Sequence, residues 1–186
     1  VDRPGREPVV RPNLAITEEK GRTMAGTDDA AVGAWLDQQA QLVVQHIRET
    51  GVHLEYVFGD PDAEQTPFCY TVGLFGVGHP ELLVLGLTMT NAGGLLNDLA
   101  RQVYRGRQLV PGEVVTFEHW PHRVFVEESP NPGDIVFAAN LHYHRPAECS
   151  VPVLHLTVDD RSGRFPWEPG YSVPAWRQPR PGVFRA

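Results

Sequence analysis

Lysine is almost missing from this chain: Lys20 stands alone against fifteen arginines. It lies in an N-terminal stretch that reads as flexible, which removes a buried Schiff-base lysine from the expected chemistry. The phosphate-loop pattern Gly-x-x-x-x-Gly-Lys is absent too, and with it the usual nucleotide-hydrolase reading. Serine is nearly as scarce. Ser129, Ser150, Ser162 and Ser172 all sit beside turn signals, and none occupies a Gly-x-Ser-x-Gly elbow, which disfavours a standard serine hydrolase. The two cysteines, Cys69 and Cys149, form no Cys-x-x-Cys pair and predict no structural disulfide in a reducing compartment. Cys69, between Phe68 and Tyr70, reads as a small buried hydrophobe. No apolar run approaches the roughly 20 residues that cross a bilayer. Residues 1–23 lack the apolar centre of a secretory signal. The expected location is the cytoplasm, with no membrane partner.

What is present fits one soluble domain. The chain has 186 residues, 41% of them hydrophobic, and a net charge of −7. Such a balance argues against a broad basic surface for nucleic acid. Residues 1–26, interrupted by Pro4, Pro8 and Pro12, read as a flexible extension with too few apolar groups to offset ordering. Residues 27–163 are expected to form a single domain. Residues 164–186 carry Phe165, Trp167, Tyr171, Trp176 and Phe184 among prolines, and predict an aromatic tail that packs on the domain or on a second subunit.

Periodicity supplies the elements. Val32, Trp35, Leu36, Gln39/Ala40, Val43 and Ile47 recur at helical spacing within 28–50, with Gly51 suited to the position after the helix. Val52, Leu54, Tyr56 and Phe58 alternate with His53, Glu55 and Val57, the period of a half-buried strand. Strands are expected at 68–75, 82–87, 114–118, 124–127 and 151–158. A second principal helix is expected over 90–105, and a short helix over 134–144. The expected class is α+β: a mainly antiparallel sheet with two principal helices, whose exposed edges make a homodimer reasonable.

Candidate chemistry gathers at turns. His79-Pro80-Glu81 offers an imidazole and a carboxylate for acid–base work, or else a Pro-fixed turn in which His79 satisfies a carbonyl. Trp120, His122 and Arg123 form one possible ring- or anion-binding corner. Asp160, Arg164 and Trp167 form another, with Asp159-Asp160 also suited to starting a turn. His119, His122, His142 and His144 are the metal candidates, but no metal is favoured, because a helix over 134–144 would splay the last two apart.

Three pieces are distinctive together: Tyr70-Thr71-Val72-Gly73-Leu74, the turn Gly78-His79-Pro80-Glu81-Leu82, and Phe165-Pro166-Trp167 after Asp160. Through them the chain resembles the bacterial family catalogued as domain of unknown function 4262, over most of residues 27–171. That resemblance implies no cofactor and no catalytic residue. The element order is similar to the flavin-binding split barrels of the pyridoxamine-oxidase and flavin-reductase type. Closure into a small split barrel, with FMN as cofactor, is what this second likeness would imply, although a fold does not fix a function. The leading expectation is a non-catalytic or accessory small-molecule-binding protein. Its pocket is expected near Tyr70, Thr71, Gly73, His79 and Glu81 and near the aromatic corners. A flavin-linked oxidoreductase is the second reading, and a metal-dependent hydrolase the third.

Overall fold

The computed structural model describes residues 11–12 and 28–186, with side chains from residue 31 onward. In chain order the elements are β1 (Arg11–Pro12), α1 (Asp28–Thr50), β2 (His53–Val57), β3 (Phe68–Val72), β4 (Glu81–Leu85), α2 (Met89–Tyr104), β5 (Val114–Val115), β6 (Val124–Glu128), α3 (Phe137–His142) and β7 (Val153–Val158). The expectation for residues 1–26 lies outside the described residues, apart from the β1 pair.

Period-two alternation assigns each strand residue to one of two cores. Leu54, Tyr56, Cys69, Leu82, Val84, Leu154 and Leu156 face α2, which presents Leu95, Leu96, Leu99 and Val103 at helical spacing. The intervening residues Phe68, Tyr70, Val72, Leu83, Leu85 and Val153 face the other way, toward Val43 of α1 and Ala139 of α3. Successive Leu82 and Leu83 are therefore both fully buried. Each such leucine contributes about 1.5–3 kcal/mol of burial.

The strand order is β1-β2-β3-β4-β7-β6-β5. Pairing is antiparallel except at β4–β7 and at the two-residue β1–β2 contact. The α+β class and the mainly antiparallel sheet are as expected, but the split barrel is not. The sheet is open, since helices cover both of its faces and leave no face free to curl inward. The split-barrel likeness, the sole ground on which FMN was considered, therefore does not extend to closure.

Other departures have local causes. The strand predicted over 68–75 ends at Val72, where the chain turns through Gly73 (φ 138°) into a 3₁₀ turn at Phe75–Val77. The helix over 134–144 is reduced to Phe137–His142, because Pro132–Asp134 already forms a separate 3₁₀ turn. The strand over 114–118 pairs only at Val114 and Val115. β2 is buried on both faces, not half-buried. Helix α1 spans 28–50 as its period requires, yet Val32 and Leu36 remain exposed, so only its second half is packed into the core. None of the helices is long and apolar enough to cross a membrane among the described residues.

The last twenty-odd residues lie against this same domain. Gln178 donates to Leu85 O at 3.0 Å and accepts from Val158 N at 3.4 Å, clasping the ends of β4 and β7. Arg177 Nε donates to Gly86 O at 3.2 Å, and Phe184 sets its edge against Phe68 at 5.1 Å.

Candidate functional site

The signature turn is occupied by its own hydrogen bonds. Glu81, fully buried at the start of β4, accepts from Thr71 Oγ1 at 2.6 Å and Gly73 N at 2.8 Å. It also accepts from Phe75 N at 3.0 Å and Leu74 N at 3.3 Å. Burial pushes its carboxyl up, against the pull of those four donors. Thr71 Oγ1 in turn accepts from Leu82 N at 2.8 Å. His79 is buried as well: Nδ1 lies 2.7 Å from Pro80 O, and Nε2 accepts from Leu109 N at 3.2 Å. Those partners fix the neutral Nδ1–H tautomer, and burial lowers its basicity. The acid–base pair offered by the sequence sits in a hydrogen-bonded turn, His79 bonded to backbone and Glu81 to three backbone amides and the Thr71 hydroxyl.

The two aromatic corners meet because β6 and β7 pair, bringing residues 122–123 beside 159. Asp159 accepts from His122 Nδ1 at 3.0 Å, Arg123 N at 3.0 Å and Arg123 Nε at 2.9 Å. Asp160 accepts from Ser162 N, Arg164 N, and both the N and Oγ of Ser172, all at 2.8–2.9 Å. These bonds, the Arg164 backbone foremost, lower its carboxyl to about 2. Trp120, His122 and Asp160 line a crevice of about 310 Å³ at the ends of β4 and β7. Arg123, Arg164 and Trp167 line none of it. Arg164 donates to Gly170 O at 3.1 Å, while Trp167 stacks on Phe165 and lies under Arg180.

His119, His122, His142 and His144 do not assemble. His119 is exposed beside Glu118, His122 is held by Asp159, and His142 closes α3. His144 follows that helix with a left-handed backbone, φ +52°. Among the described residues no group of three His, Cys, Asp or Glu side chains has metal-holding geometry.

A different pocket, of about 450 Å³, opens between α1 and α3 over the edge of β2 and β3. Trp35, Leu36, Val43, Phe68, Phe137 and Leu141 make it mostly apolar. Tyr70, one of the residues singled out from sequence, lies in its wall. Its hydroxyl accepts from Ala138 N at 3.0 Å, and burial pushes its pKa far above the ordinary phenol range. Glu55 supplies a carboxylate to this wall while being nine-tenths buried. Its Oε2 lies 3.1 Å from His53 Nε2. His53 stacks on His46 of α1 with centroids 5.0 Å apart, their Nδ1 atoms 2.8 Å from each other. His142 stands in the wall too, held toward its neutral form by burial and by His144 and His53.

His46, His53 and Glu55 were not among the residues nominated from sequence. The available signal was His53-x-Glu55, which places two titratable groups on one strand face with His46 one helix end away. Alternation alone assigned that face to water, and only the packing of α1 makes it interior.

No curated protein and no solved structure was found to match the chain. The family model described as Domain of unknown function (DUF4262) matches residues 46–172, more than half of the chain, and the protein belongs to that family.

Proposed function

We propose that this chain is a small-molecule-binding protein whose ligand occupies the pocket between α1 and α3. One observation carries the reading: a mostly apolar and aromatic wall holds a few polar groups, with Glu55 nine-tenths buried and His142 and Gln39 beside the opening. Apolar walls with a few placed polar groups are the usual make-up of ligand sites, and about 450 Å³ falls within their range of roughly 300–1,000 Å³. Exposed Phe137 and Leu141 at the rim, with Leu36 opposite, support entry of a ring-bearing molecule.

The test is a titration with 3-ethylindole followed by NMR. Signals of Trp35, Phe137 and His142 are expected to shift together and saturate. Ala40→Trp, which fills the pocket from the exposed side of α1, is expected to abolish the shifts without unfolding the chain. Shifts scattered over the surface and unchanged in that variant would defeat the reading.

A further inference from the structure

We propose that the crevice at the carboxyl ends of β4 and β7 is a second binding site, independent of the pocket between α1 and α3. It takes the oxyanion of a ring-bearing molecule, a phosphate or a carboxylate, with the ring laid against Trp120.

Topology places the crevice. β4 and β7 are neighbours and run parallel, from Glu81 opposite Val153 to Val84 opposite Leu156. The segments that follow them leave for opposite faces of the sheet. After β4 the chain enters α2, which covers the side of Leu82 and Leu154. After β7 it reaches Phe184 on the side of Phe68 and Val153. In open sheets a gap forms beyond parallel strands whose connections diverge in this way, and ligands settle in it. Here the gap measures about 310 Å³, walled by Thr88 and Asn91 at the start of α2 and by Asp160 beyond β7.

The hydrogen-bonding groups of this wall are unbalanced. Three backbone acceptors are occupied: Gly86 O by Arg177 Nε at 3.2 Å, Leu87 O by the Tyr56 hydroxyl at 3.0 Å, and Asp159 O by His122 Nδ1 at 3.1 Å. The carboxylates of Asp159 and Asp160 hold three and four donors of the chain itself. Donors, by contrast, stand open. Arg177 commits only its Nε, and the Arg161 side chain commits nothing among the described residues. The amides of Met89 and Thr90 find no acceptor among the described residues, and they carry the positive end of α2. Tyr171, in the same wall, has a hydroxyl closed off from solvent and without a partner, whereas buried hydroxyls are normally satisfied. With these acceptors occupied and these donors open, the crevice suits a group made of acceptors, and phosphate and carboxylate are such groups.

Continuity assigns the ring. Trp120 and Asn91 line both the crevice and a groove of about 530 Å³ along α2. Phe117 meets Trp120 edge-on at 5.5 Å, and at Gly94, also in the groove, a Cβ would meet nothing within 4 Å. A molecule held by its anion in the crevice therefore has an aromatic wall beside it and room beyond.

Phenyl phosphate, benzoate and benzyl alcohol share one ring and differ in charge. Titration followed through the Trp120 indole N–H signal in NMR reads binding at this place. At least one of the two anions is expected to bind on the order of tenfold tighter than benzyl alcohol, the scale of a hydrogen bond to a charged group. The tighter anion identifies the oxyanion class. Ala40→Trp, which fills the other pocket, should leave this binding unchanged. Arg161→Gln, at an exposed side chain, should weaken it without disturbing the fold. Asn91→Asp nearly preserves shape and puts a carboxylate in the first turn of α2, where it favours the helix. That variant should melt no lower than the parent and yet lose the anion. Equal affinities for the three probes, anion binding undiminished by Asn91→Asp, or no shift at Trp120 with either anion would overturn the proposal. The 3-ethylindole titration decides the other pocket separately.

Discussion

Replacing Thr71 by valine tests whether the signature turn is a hydrogen-bonded lock. The two side chains share branching and nearly share shape, so the change is chiefly the loss of one hydroxyl. That hydroxyl donates to Glu81 at 2.6 Å and accepts from Leu82 N at 2.8 Å, all in a fully buried setting. Leaving the Leu82 N–H without a partner costs about 1–3 kcal/mol, and removing a donor from a buried carboxylate costs a similar amount. The added methyl returns about 0.8 kcal/mol. The net expectation is about 3 kcal/mol of lost stability. For a chain of this size roughly 2–4 °C of melting temperature accompanies each kcal/mol, so Thr71→Val should melt about 6–12 °C below the parent. Thr71→Ser keeps the hydroxyl, gives up one methyl, and should lose only about 1 kcal/mol. Thermal unfolding followed by circular dichroism decides. Valine and serine variants that melt together, or a valine variant within about 2 °C of the parent, would refute the lock.

Three further outcomes follow from other parts of the molecule. Gly86 holds φ +72° with Arg177 O only 2.0 Å from where a Cβ would sit. Gly86→Ala should therefore dislodge the Arg177–Gln178 clasp, and faster proteolysis of the C-terminal tail would reveal it, while an unchanged cleavage rate would argue against the clasp. His155 is buried with Nε2 unpartnered, and burial, with Arg180 nearby, lowers it from 6.5 to about 4. A group depressed in the folded state costs no stability above its unfolded value, and stability falls as pH drops from 6.5 through about 4. His155→Leu should flatten that acid loss by up to about 3 kcal/mol, read from urea midpoints at several pH values; parallel curves would exclude His155 as its source. Cys149 is exposed and Cys69 is buried, with its thiol pushed far above the ordinary range by burial. A thiol reagent should thus label one cysteine in the native chain and two in denaturant, and rapid double labelling of native protein would contradict the packing of β3.

Helices α1 and α2 were legible because an apolar period of 3.6 residues matches a helix and does not match a strand, and β2 was legible because strict alternation does the reverse. The faces were harder. His53 and Glu55 carry the polarity of a solvent-exposed strand face, yet α1 folds over them, and which strand face a helix covers is a tertiary fact. The Glu81 turn was legible as a turn but not as a lock, since its four donors come partly from backbone amides that a sequence does not display. Trp120 and His122 were singled out in one corner and Asp160 in another. Their convergence needed the β6–β7 register, Val124 opposite Val158, which no local pattern encodes. The barrel expectation failed on the same ground: element order fixes neither closure nor the parallel contact at the centre of the sheet.

That parallel contact bears on how the chain comes to be folded. β4 and β7 pair Glu81 with Val153, positions about seventy residues apart, and contacts of such long range slow folding because loop closure precedes their reward. A chain emerging from the ribosome presents the β2–β3–β4 meander well before β7 exists. Until residues 153–156 arrive, β4 is an apolar strand with one unpaired edge, the kind of surface that seeks a partner of its own. Truncation upstream of β7 would leave that edge open permanently and convert a folding delay into aggregation. The strand that closes the middle of the sheet is the last one in the chain.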